Sequence, residues 1–178
     1  EENSGNPETA QAIVDSIRQF PGTSLHASLP CTVWANWQKM SIHKFSQHYM
    51  RKLKQHHRKE LAKLHSFLRC ANTALENGGH ISVEWPEDCL GWLQPELQQF
   101  IKEWDLFAVR ADGCACGMTK SAVEPILKKS SERRAEALGH VRCAHASSFK
   151  HGEDCGRLTK KAERYSASLC HTLLPGFY

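Results

Sequence analysis

The stretch Asn77-Gly78-Gly79-His80-Ile81-Ser82-Val83-Glu84-Trp85-Pro86 decides the architecture. Asn-Gly-Gly stops a helix, because glycine reaches the left-handed backbone conformation with which helices end. The residues from His80 to Trp85 then read as a strand, and Pro86, which has no N–H to give a ladder, closes it. Upstream, Phe45, Tyr49, Leu53, Leu61, Leu64, Leu68, Ala71 and Leu75 recur at helical spacing. They predict one long helix from Lys44 to Leu75, even if bent near His56-His57.

Working outward, Ser24-Leu25-His26-Ala27-Ser28-Leu29 alternates before Pro30 and predicts a short strand. Before it, Pro7-Glu8-Thr9 opens a helix over 7–20 with Ile13, Ile17 and Phe20 on one face, stopped by Pro21-Gly22. Downstream, Cys89 to Trp92 reads as a loop. Pro95 begins a helix with Leu97, Phe100, Ile101 and Trp104 inward, and Leu106 to Ala111 forms a third strand running into Asp112-Gly113. Alternating helices and strands predict an α/β fold: a short, mainly parallel, three-layer Rossmann-like sheet with flanking helices. Beyond Met118 the pattern fades. Ala122 to Leu138 is weakly helical, Gly139 to Arg157 is irregular and rich in Cys and His, and Ala162 to Leu174 reads as a last helix. The expected organisation is a disordered lead at 1–6, an α/β core at 7–118, and a C-terminal extension of the same domain at 119–178.

A chain of 178 residues, 40% hydrophobic, can bury one core and is short for two. Its apolar runs are only a few residues long, against roughly 18 to 20 for a membrane span, so a soluble chain is expected. The polar start has no signal-peptide layout, and its first residue is not Met. The eight cysteines are scattered through periodic segments. They are expected to be reduced thiols of an intracellular protein, nuclear or cytoplasmic. The net charge is only +4 but lopsided: Lys44, Arg51, Lys52, Lys54, Arg58, Lys59, Lys63 and Arg69 stand against the single acid Glu60. Nucleic acid is the natural partner of such a surface, and an ordinary solvated helix face is the alternative.

In open parallel sheets ligands bind outside the carboxyl ends of the strands, which gives Cys31, Glu84 and Asp112 a shared location. Cys31 is a candidate nucleophile, or else a buried structural thiol. Glu84, between Val83 and Trp85, is a candidate proton donor, since an apolar setting raises a carboxyl pKa. Its alternatives are a pairing with lysine or a helix cap. Asp112-Gly113 is the third candidate, or simply a turn. Separately, Cys143, His145, His151 and Cys155 are candidate zinc ligands, with Cys114, Cys116 and Cys170-His171 as further thiols and imidazole, although the C-x-H-x5-H-x3-C spacing is not that of a common finger.

Ser28-Leu29-Pro30-Cys31-Thr32-Val33-Trp34 with Trp37-Gln38, Asn77-Gly78-Gly79 with Val83-Glu84-Trp85-Pro86, and Asp112-Gly113-Cys114 with Gly117 together resemble an uncharacterised module of retrotransposon-like polyproteins. The resemblance covers most of residues 8–178. That module has a Lys-Lys-Pro-Trp-like strand after the third strand, whereas here Lys128-Lys129 runs into Ser130-Ser131, so the resemblance implies a lost strand. More remotely, Pro-Cys after one strand and Glu after the next is similar to DNA cytosine-5 methyltransferases. That likeness implies a methyltransferase-like core in which Cys31 attacks a flipped-out cytosine, Glu84 holds and protonates the ring nitrogen, and S-adenosylmethionine supplies the methyl group. Here no Gly-rich loop precedes Cys31, Thr32 stands in place of Gln, and Trp85 in place of Asn. The expectation is a nucleic-acid-associated, mobile-element-derived domain with a partial, catalytically degenerate methyltransferase-like core. The alternatives are an active cysteine-nucleophile transferase needing a missing cofactor half, and a zinc-stabilised interaction module.

Overall fold

A computed structural model describes residues 6–35, 47–112 and 125–130, together with Gln38, Ala115 and Ala144. Helix α1 spans Pro7–Gln19. The Asn6 side chain caps it by accepting from the Glu8 N–H at 3.1 Å, and Pro7 occupies the first turn, where a missing N–H costs nothing. Strand β1 follows at Leu25–Ser28, then a 3₁₀ turn at Thr32–Trp34. Helix α2, Gln47–Glu76, is continuous over 30 residues, about 45 Å. Gly78, at φ +76°, takes the left-handed position just past its end. Gly79 leaves no room for a side chain, because a Cβ there would lie 2.0 Å from the Thr23 carbonyl oxygen.

Strand β2 is Ile81–Pro86 and pairs in parallel with β1, so that Leu25 faces Ile81 and Ser28 faces Glu84 across the ladder. The predicted loop after β2 contains a second 3₁₀ turn, Leu90–Leu93. Its Gly91 lies under the Trp85 ring, where a Cβ would meet that ring at 2.6 Å. Helix α3, Pro95–Glu103, and strand β3, Phe107–Asp112, complete the predicted elements.

The sheet departs from expectation in one strand. Residues Pro125–Ser130 form β4, which runs antiparallel to both neighbours in the order β1-β2-β4-β3. The sheet is therefore mixed: β1, β2 and β3 point the same way, but among the described strands β1 and β2 are the one parallel pair. The weak helix expected over 122–138 is a strand at 125–130, and the core extends past residue 118. This strand follows β3 in the chain and carries Lys128-Lys129. Ala, Glu, Leu and Lys around it favour a helix locally, yet pairing on both sides overrides that preference by satisfying the backbone groups. Pro125 is tolerated because it is the first residue of the strand.

Alternation along the strands divides the sheet into unlike faces. Ile81, Val83 and Trp85, with Leu25 and Ala27 beside them, join one apolar cluster with Ala10, Val14 and Ile17 of α1, Leu64, Phe67, Ala71 and Ala74 of α2, and Leu97 and Phe100 of α3. The described helices thus all contribute to the core on that face, and the described residues make two layers, helices on a sheet. Trp85 also ties the segment after β1 to β2, its indole N–H donating to the Leu29 carbonyl at 2.7 Å. No described helix is long and apolar enough to cross a membrane.

Candidate functional site

Helix α2 connects two parallel strands, so it runs back against their direction and its N-terminal half lies toward their carboxyl ends. That half is fastened to the segment following Cys31. Trp34 meets the His57 ring edge-to-face at 4.6 Å, and Tyr49 donates to the Gln38 side-chain oxygen at 2.6 Å. Gln38 in turn donates to the Thr32 carbonyl at 3.2 Å. The basic part of α2 and the Pro-Cys segment are thereby neighbours. Burial against Trp34 lowers the pKa of His57, because the charged imidazolium is penalised there.

Arg51, Lys52, Lys54, Arg58 and Lys59 are all exposed on α2. Lys63 is half-buried and paired with Glu60 at 2.9 Å, so it contributes less free charge. Lys44 lies outside the described residues. Two exposed imidazoles, His48 and His56, lie among these cations, and a third, His65, faces Glu96 of α3 at 3.6 Å.

Cys31 opens the first 3₁₀ turn, its carbonyl accepting from Trp34 at 2.9 Å, and it packs half-buried against the core. Glu84 is 7% exposed. Its environment differs from the apolar one expected from its chain neighbours, because Val83 and Trp85 alternate to the opposite face. On its own side are His26, with Nε2 at 3.8 Å from the Glu84 carboxylate, and Ser82, whose Oγ shares a 2.7 Å hydrogen bond with His26 Nδ1. One imidazole thus stands between a serine hydroxyl and a carboxylate. Ser82 is only 1% exposed, so this hydroxyl is not presented to a substrate, and the group acts as a polar tie between β1 and β2. His26 and Ser82 were missed from the sequence. The polar alternation His26-x-Ser28 and Ser82-x-Glu84 is visible there, but the register that makes the residues meet is not.

The three candidate catalytic residues are not equally close. Cys31 is three residues past Ser28, the register partner of Glu84, so it lies in the turn beyond the end of the strand adjacent to that of Glu84. Asp112 ends β3, which β4 separates from β2, placing its strand about 10 Å from that of Glu84. The carboxyl ends of β1, β2 and β3 share one edge as expected, but Asp112 lies apart along it. The turn after β1, Leu29-Pro30-Cys31, contains no glycine of the kind that lets a backbone approach a cofactor's phosphate or ribose closely.

Cys143, His145, His151 and Cys155 lie outside the described residues, as do Cys114, Cys116, Cys170 and His171. Among the described residues there is no group of three or more His, Cys, Asp or Glu side chains placed to hold a metal ion. Cys70, by contrast, is a core thiol: buried between α2 and α1, it donates to the Ala10 carbonyl at 3.6 Å, and burial pushes its pKa up against the smaller opposing effect of Arg69. Compared with known proteins, the chain matches no family model, no curated protein and no solved structure.

Proposed function

We propose that the chain is a nucleic-acid-associated domain of mobile-element origin, built on a partial Rossmann-like, methyltransferase-like core that does not itself complete a catalytic cycle. The observation that carries this reading is the exposed basic half of α2, held toward the carboxyl edge of β1 and β2 beside the Cys31 segment. A polyanion there gains from neutralising several phosphates at once, with release of their counterions. The concentration of positive charge also works against the helix. The first turn of α2 carries no acidic residue, so nothing in it complements the positive end of the helix dipole. A charge pattern that weakens its own helix is accounted for by an anionic partner.

The test is fluorescence anisotropy of labelled DNA and RNA oligonucleotides with the whole chain across a salt series. Binding whose logarithmic affinity falls linearly with logarithmic salt supports the proposal. Binding no tighter than that of an unrelated protein of similar net charge sinks it.

A second reading, a cysteine-nucleophile transferase acting on cytosine, is favoured by the position of Cys31 in the turn three residues past Ser28, the partner of Glu84 on the adjacent parallel strand. In that reaction the Cys31 thiolate would add to C6 as the C5–C6 double bond opens and Glu84 gives a proton to the ring nitrogen, and after methylation loss of the C5 proton would restore the double bond and expel the thiolate. Mixing the chain with labelled S-adenosylmethionine and a panel of DNA and RNA separates the two readings. Methyl transfer lost in Cys31→Ser favours the enzyme, and absence of cofactor binding leaves the binding domain.

A further inference from the structure

The basic face of α2 is not one stripe. At 3.6 residues per turn, steps of three and four place His48, Lys52, His56, Lys59 and Lys63 on one ridge and Arg51, Lys54 and Arg58 on another, which His65 and Arg69 continue after a gap of two turns. The two ridges stand about 130° apart around the axis. Between them run uncharged positions, Gln55 and Ala62, both exposed. The opposite side of the same segment carries Leu53, its buried residue, and His57, which packs on Trp34, so the two ridges and the strip between them lie on the exposed side.

We infer that the N-terminal half of α2 enters the major groove of a DNA duplex, with one basic ridge against the phosphates of each strand and Gln55 toward the base edges. This rests on the reading of the chain as a nucleic-acid-associated domain. Dimensions and charge support it together. A helix with its side chains is about 10 to 12 Å across, and the B-form major groove is about 12 Å wide and walled by two phosphate backbones. A helix lying along a single strand needs one basic ridge, whereas a helix seated between two strands needs two with a neutral strip between. Gln55 is the residue type that pairs in bidentate fashion with adenine in that groove. The deep, narrow major groove of A-form RNA does not admit a helix in this way.

The experiment measures binding of a short fluorescein-labelled DNA duplex to the whole chain by anisotropy across a salt series. Its variants are K52Q/K59Q on one ridge and R51Q/R58Q on the other. Glutamine keeps helix propensity, and fewer positive charges near the helix start relieve the dipole, so circular dichroism should show unchanged helix content. Each pair should weaken duplex binding by roughly three- to tenfold at about 0.1 M salt and lower the salt slope by about 2. Gln55→Glu, which puts an anion between the ridges, should lose duplex binding by at least as much. Loss from one ridge alone, or equal affinity for single-stranded DNA or duplex RNA, overturns the groove geometry and leaves the broader reading standing. No binding of any nucleic acid overturns both.

Discussion

The two halves of α2 are one hydrogen-bonded helix with opposite surroundings. From Leu64 to Glu76, six residues are buried: Leu64, Phe67, Cys70, Ala71, Thr73 and Ala74. The small ones let α1 lie close, and Arg69 reaches over to donate to the Gln11 side chain. From Gln47 to Lys63 only Leu53 is buried, and the surface is basic. The C-terminal half is helical because it closes the core. The N-terminal half is helical because it continues that half and is pinned by Trp34 and Gln38, despite charges that oppose the dipole. The core-packed surface and the basic surface are therefore separated along a single element, and substitutions in the two halves should have different effects.

The largest expected effect is in the packed half. Leu64→Ala, at a fully buried position, should cost about 3 kcal/mol in urea unfolding, while Leu53→Ala should cost about half that or less. Equal losses would mean that the basic half is as much a part of the core as the packed one. Next comes the end of the packed half. Gly79→Ala forces a methyl group onto the Thr23 carbonyl and should cost about 2 kcal/mol, whereas the reverse change at exposed, helical Ala12, Ala12→Gly, should cost only roughly 0.5 to 1 kcal/mol. A neutral Gly79→Ala would refute the close approach between the end of α2 and the start of β1.

A smaller effect sharpens the joint between the halves. His57 has a folded pKa below its unfolded value, so between the two values the unfolded chain binds more protons. Its contribution to stability is present above the unfolded value, near 6.5, and is lost as pH falls through the folded one. The urea midpoint should therefore drop on acidification from about pH 7 to about pH 5.5, and His57→Gln should remove part of that slope. An unchanged slope would mean that the imidazole does not rest against Trp34. The smallest effect is expected on the open face, where K52Q/K59Q and R51Q/R58Q should each change stability by less than about 0.5 kcal/mol while changing nucleic-acid affinity. A large loss of stability there would show those cations to be structural.

Much of this arrangement is legible in the sequence alone. The basic run from Arg51 to Lys63 and the apolar period of α2 share a local repeat, and that repeat is enough to put the cations on the solvent side. Asn77-Gly78-Gly79 and Pro86 bracket β2 by chemistry that acts within a few residues. Other features escaped for the opposite reason. Glu84 looks enclosed by Val83 and Trp85 only along the chain, and its spatial neighbours His26 and Ser82 come from a register 56 residues away in sequence. Asp112 shares an edge with Cys31 and Glu84 yet is distant from them, because an unforeseen strand intervenes.

The sequence by itself therefore determined the extent of three helices and three strands, the common direction of those strands, and a helix with a basic face. These follow from periodicities of two and 3.6 residues and from glycine and proline acting on their immediate neighbours. Only the tertiary structure decided that residues 125–130 leave their local helical preference to become β4 between β2 and β3, and that His26 stands between Ser82 and Glu84. Strand order and register belong to pairs of distant segments, and hydrogen bonding on both sides of β4 outweighs what its own residues prefer.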